Sequence, residues 1–245
     1  MLPTLSESPK FEATIPSSGK PIFFRPFLVK EEKVLLMAFE GRDRKAGIKA
    51  ISDVILSCVE TEIDPEELTL YDVEYLFTKI RSKSVGEVIT FSMPCSECKE
   101  ANEIEIDLEA VTFTNDKLEM KKRIVLTDEI SVEVRLPTYM SYLRNDKIVN
   151  AKSEVDRVFE IVYDSLYAIY TEEDHFLCAD EPREEIVRFI ESMTSDQFKE
   201  IKEFLESAPS LTLDFDFDCK SCGTHNDVHV ERLEDFFPYG PVTKR

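Results

Sequence analysis

Residues 93–108 read MPCSECKEANEIEIDL and residues 211–230 read LTLDFDFDCKSCGTHNDVHV. Each holds a C-x-x-C pair, Cys95/Cys98 and Cys219/Cys222, in a turn between two strand-like segments. The lead-in residues are Phe91-Ser92-Met93-Pro94 in one and Phe215-Asp216-Phe217-Asp218 in the other. That is the layout of a zinc knuckle on a β-hairpin, whose turn amides point at the thiolate sulfurs and offset their charge. Two knuckles supply four ligands for one tetrahedral Zn²⁺. Gly223 follows the second pair, where such turns favour positive φ, whereas Lys99 stands at the equivalent place in the first. From Cys98 to Cys219 is 121 positions, far wider than a compact ribbon's roughly 15–20 residues. The site therefore requires residues 85–115 and 210–235 to meet as one discontinuous β module, with the intervening chain inserted between them. Four thiolates leave no open position for water or substrate, so the expected Zn²⁺ is structural and does no Lewis-acid catalysis.

The competing reading leaves four reduced, unliganded thiols, or two redox pairs. A redox C-x-x-C opens a helix, and these are bracketed by strands. His225 and His229 could substitute as ligands, but four cysteines already complete the shell, so both are expected on an exposed strand. Cys58 (VILSCVE) and Cys178 (HFLCAD) are expected as small buried hydrophobes, and His175 in TEEDHF as a solvated side chain.

Working outward, residues 1–30 read as an extended arm, with one short strand at Phe11 to Ile15 and Pro21 and Pro26 preventing a helix. Residues 31–84 read as helical. Ile48, Ile51, Ile55 and Cys58 make one stripe, and Leu70, Val73, Phe77 and Ile80 another, with a helix start expected at Asp64-Pro65-Glu66-Glu67. Strands are expected at Val85 to Met93 and Glu103 to Leu108. Residues 116–209 read as an inserted hairpin (Lys122 to Leu126, Ile130 to Leu136) and then helices from Pro137 to Ser207. The longest is marked by Val155, Phe159, Val162, Leu166 and Ile169, and a capping box is expected at Thr194-x-x-Gln197. Residues 236–245 form a tail. The fold class expected is α+β: helical regions around a discontinuous antiparallel β zinc-ribbon-like module.

Composition narrows the function classes. The 245 residues are 42% hydrophobic and 10% aromatic, enough for a sizeable core. Lys+Arg number 30 against 50 Asp+Glu, a formal charge of -20, which repels phosphate backbones and argues against nucleic-acid or anionic-membrane binding. The longest apolar run, Val34 to Phe39, is far short of the roughly 20 residues a membrane span needs. MLPTLSESPK carries no signal-peptide pattern, so a soluble, cytoplasmic chain is expected. Phosphate-loop, dinucleotide, zincin and nucleophile-elbow motifs are all missing, and no enzymatic function is expected.

The arm KPIFFRPFLVKEEKVLLMA at residues 20–38, above all FRPFLVKEEK from Phe24 to Lys33, resembles a phage family when taken with MPCSECKEANEIEIDL at 93–108. It is similar to the baseplate hub and tail-assembly proteins of T-even (T4-like) contractile-tailed bacteriophages. The resemblance covers most of the chain. Lys99 and the long segment between knuckles are the departures. What it implies is a structural virion-assembly role at the baseplate hub, without catalysis. Its partners would be other hub or tail proteins, the tape-measure protein among the candidates, met in the host cytoplasm during assembly or in the virion tail. Phe23, Phe24, Arg25 and Phe27, with Phe236 and Phe237 in the tail, are the candidate contact residues, since aromatic and Arg side chains anchor interfaces. The alternative is that these rings pack on the first helices. The alternative function is a zinc-ribbon regulatory module that binds nucleic acid or the transcription machinery. Acidic residues around both knuckles (Glu97, Glu100, Glu103, Asp216, Asp218) disfavour it.

Overall fold

Helices and small antiparallel sheets mix in this chain without βαβ alternation, which makes it α+β. The computed structural model describes residues 8–40, 44–108, 112–113 and 119–230. The chain divides into two units: Met1–Ile63, Tyr71–Thr114 and Ser210–Arg245 form the first, and Asp64–Leu70 with Asn115–Pro209 the second.

In the first unit, β1 (Phe11–Thr14) and β2 (Pro21–Phe24) pair as an antiparallel hairpin. Alternation buries Ala13, Ile22 and Phe24 and leaves the residues between them at the surface. Gly19, at φ 69, closes the turn by donating its N–H to the Ile15 carbonyl. Three helices follow: α1 (Val29–Glu40), α2 (Arg44–Cys58) and α3 (Leu70–Ser84). Ile51, Ile55 and Cys58 of the expected α2 stripe are buried, as are Val73, Phe77 and Ile80 of α3. The start expected at Asp64 is instead a turn. The Asp64 side chain accepts from Glu66 N–H and its carbonyl from Glu67 N–H, which satisfies the local donors without a helix. Leu68 and Thr69, which belong to the second unit, then run extended and bridge to Tyr139 and Thr138 of that same unit, so α3 begins only at Leu70.

The rest of the first unit is β. Strands β3 (Val88–Pro94) and β4 (Ala101–Asp107) form one hairpin, and β10 (Leu211–Asp218) and β11 (His225–Val230) another. The two do not fuse into a single sheet. The short strand β5 (Thr112–Phe113) adds to β10, giving the order β11-β10-β5, while β3 and β4 stay two-stranded.

The second unit is built on a four-stranded antiparallel sheet, ordered β6 (Lys121–Val125), β7 (Ser131–Arg135), β8 (Leu166–Tyr170), β9 (His175–Leu177). Helices α4 (Tyr139–Arg144), α5 (Asp146–Val149), α6 (Glu154–Ser165), α7 (Arg183–Glu191) and α8 (Ser195–Glu206) accompany it. Ile124, Val132 and Val134 from the sheet share one core with Val162, Ile186, Ile190, Ile201 and Phe204 from the helices. Of the helices expected between Pro137 and Ser207, the longest is shorter than its stripe suggests. Leu166 and Ile169 fit a helical stripe, yet α6 ends at Ser165 and both residues lie on β8. The reason is that LYAIY is rich in strand formers and pairs on both edges, with β7 and β9, so its backbone is satisfied by the sheet. The capping box at Thr194 and Gln197 starts α8 as expected. Among the described residues, no helix is long and apolar enough to cross a membrane.

Candidate metal centre

The two cysteine turns are built alike. Cys95 N–H donates to the Glu100 carbonyl at 2.8 Å and Lys99 N–H to the Cys95 carbonyl at 3.1 Å. The second turn repeats both bonds, Cys219 to Thr224 at 2.9 Å and Gly223 to Cys219 at 2.9 Å. Lys99 and Gly223 share the left-handed conformation, at φ 62 and 73. The sequence therefore places glycine in one turn and forces a lysine into the same strained geometry in the other. Lys99→Gly is expected to stabilise the protein by about 0.5–1 kcal/mol, the strain relieved being partly offset by glycine's entropy. A Cβ at Gly223 would meet no atom within 4 Å, so the loss of about 1 kcal/mol expected for Gly223→Lys is conformational. Thermal unfolding of the two variants should move in opposite directions.

The turns meet. Cys95 Sγ lies 3.7 Å from Cys222 Sγ, and Cys98 Sγ 3.6 Å from Cys219 Sγ. All four sulfurs fall within 4.8 Å of one another. These separations are much too long for disulfides, whose sulfurs sit about 2.0 Å apart. They match a tetrahedral thiolate shell, where bonds of about 2.3 Å put sulfurs about 3.8 Å apart. Cys95 and Cys219 are buried, while Cys98 and Cys222 are exposed.

The groups around the sulfurs govern how readily each ionises. N–H groups of Cys222 and Ser221, with the Asn102 amide, draw the Cys219 thiol down to about 6. N–H groups of Cys98 and Glu97 lower Cys95 in the same way. The Glu100 N–H favours a Cys98 thiolate, but the crowded sulfurs, Cys222 first and then Cys219 and Cys95, together with partial desolvation, outweigh it and push Cys98 up to about 12. Two sulfurs are prepared to ionise and their neighbour then resists. A divalent cation among them reverses that resistance. The donor set fits a metal ion.

Sequence reasoning missed Asn102 and Asn226. They are 1% and 6% exposed, and each reaches into the opposite turn. Asn102 Oδ1 accepts Lys220 N–H at 3.0 Å, and Asn226 Oδ1 accepts Ser96 N–H at 2.8 Å. The signal was in the sequence: both turns read C-x-x-C-x-x-x-N.

A family described as T4 bacteriophage base plate protein matches residues 8–238. The chain belongs to that family. No curated protein and no solved structure matches it. The cysteine cluster of this baseplate protein thus lies wholly inside the matched range, as do both turns and both asparagines.

The remaining expectations sort by burial. His225 and His229 stay outside the sulfur cluster, with exposed rings paired to Asp218 and Asp214 across the β10–β11 hairpin. Cys58 and Cys178 are buried, and desolvation pushes each thiol up to about 11, which makes them poor nucleophiles. His175 is exposed and stacks on Tyr170. Of the aromatic arm, Phe24 is buried against Phe11 and Phe27 is half-buried, whereas Phe23 is 52% exposed. Arg25 is spent internally, on Glu31 at 2.9 Å and on the Pro26 and Ser57 carbonyls. Phe236 and Phe237 lie outside the described residues.

Proposed function

We propose that this member of the T4 baseplate family is a non-enzymatic assembly protein of the baseplate hub, working through protein–protein contacts and held together by one structural Zn²⁺ on Cys95, Cys98, Cys219 and Cys222. The observation that carries the reading is the convergence of those four sulfurs in a chain of this family. Zinc bound there supplies cross-linking and charge neutralisation. The chain's own part is to bring two distant hairpins to tetrahedral spacing and to aim amides at the sulfurs. Exposed acids on the hairpin face, Asp214, Asp216, Asp218 and Asp227, count against a nucleic-acid role for the module.

For contacts, the reading favours the arm and α1. Phe23 is exposed on β2, and α1 exposes Val29, Leu36 and Met37, the last 64% exposed, so both elements leave large apolar side chains uncovered. Partners of this surface are other hub or tail proteins, the tape-measure protein included. Co-expression with each tail protein of the same phage tests it. Phe23→Ala combined with Met37→Asp should weaken co-purification at least about tenfold, the loss of one anchor worth roughly 1.4 kcal/mol, while leaving thermal stability unchanged. Undiminished co-purification of the double variant would move the contact surface elsewhere.

A further inference from the structure

We propose that Asn102 and Asn226 are paired positioning residues that clamp the two cysteine turns to each other and govern how long the centre retains its metal, an inference that rests on the metal reading above. A buried amide is costly unless its hydrogen bonds are made, and here both Nδ2 donors and the Oδ1 acceptor of each asparagine are used. Asn102 Nδ2 donates to its own turn at the Glu100 carbonyl (2.9 Å) and to the opposite turn at Cys219 Sγ (3.7 Å). Asn226 does the same, to the Thr224 carbonyl at 2.8 Å and to Cys95 Sγ at 3.8 Å. With the backbone N–H that each Oδ1 accepts, one side chain ties the exit of its own turn to the entry of the other.

The bonds go where water cannot. Cys95 and Cys219 are 0% and 3% exposed, and they receive the asparagine donors, while Cys98 and Cys222 face solvent. Four thiolates around a divalent cation leave excess negative charge, and the two buried sulfurs depend on protein N–H groups to disperse it. Because both bonds cross between turns, neither turn can swing away from the ion without breaking the pair. Outer partners of metal ligands typically carry a 10–100-fold share of affinity.

The test uses the full chain loaded with Co²⁺, with chelator competition for release and absorption for the sulfur-to-cobalt bands. Asn102→Asp and Asn226→Asp keep the Oδ1 acceptor and replace the donor with an anionic oxygen, and Asn102→Ala and Asn226→Ala remove both. Each single variant should release cobalt about 10–100-fold faster and shift the charge-transfer bands. Alkylation of individual cysteines, mapped by mass spectrometry after chelation, should show a crossed pattern. Asn102 variants should expose Cys219, and Asn226 variants should expose Cys95. Unchanged release, or reactivity rising only in the variant's own turn, overturns the clamp. Should an alanine variant fail to fold, the near-isosteric aspartate gives the answer. If the wild-type chain takes up no cobalt, the metal reading falls separately, and the crossed alkylation pattern of the metal-free chain still decides whether the clamp exists.

Discussion

Cys98→Ser and Cys222→Ser are each expected to abolish stoichiometric metal binding and to lower the melting temperature by about 8–16 °C. A ligand present at a thousand times its Kd contributes about 4 kcal/mol to folding, and for a chain of this size each kcal/mol is worth about 2–4 °C. Freshly prepared, reduced wild-type protein should carry one zinc per chain by elemental analysis. Hydrogen exchange locates the effect: stripping the metal should speed exchange across Val88–Pro94, Ala101–Asp107, Leu211–Asp218 and His225–Val230, the strands that carry the turns. Acid should release the ion as the thiolates take up protons. Metal-free protein that melts at the same temperature as the loaded form would remove the zinc from the account altogether.

The second large effect belongs to Arg25. Arg25→Gln should destabilise the protein by about 3 kcal/mol, because it leaves the Glu31 carboxylate buried with its strongest partner gone. The corresponding fall in melting temperature is about 6–12 °C. Burial alone would raise the Glu31 carboxyl, but the Arg25 guanidinium and the Leu28 N–H more than offset it, so its pKa sits below the usual 4.5. A depressed carboxylate stabilises the fold above its unfolded pKa and loses that contribution as pH falls through its folded value. The gap between wild type and Arg25→Gln should therefore be widest near neutrality and narrow below about pH 4.5. This outcome also separates two roles for the arm. A variant at Arg25 should fail by unfolding, whereas one at Phe23 should fail only at binding.

The cysteine turns were legible because the chemistry needs few residues at fixed spacing, and Leu213, Phe215 and Phe217 alternate around the second of them. Asn102 and Asn226 were equally regular but went unread, since a lone asparagine after a turn is ordinary until its partner's position is known. Arg25 illustrates a different limit. Residue type marks it as an interface anchor, yet its carboxylate partner sits six positions away on α1, and only the folded chain brings them together. Strand β8 was lost to coincidence. Leu166 and Ile169 satisfy the helical period that Val155, Phe159 and Val162 begin, and pairing with β7 and β9 overrides it.

The 121 positions between Cys98 and Cys219 also impose an order on synthesis. At about 5–20 residues per second, the first hairpin leaves the ribosome roughly 6–24 s before its counterpart is made. During that interval Cys95 and Cys98 can offer an ion only half a coordination sphere. On the zinc proposal, ion capture is then a late event that awaits the arrival of the second hairpin.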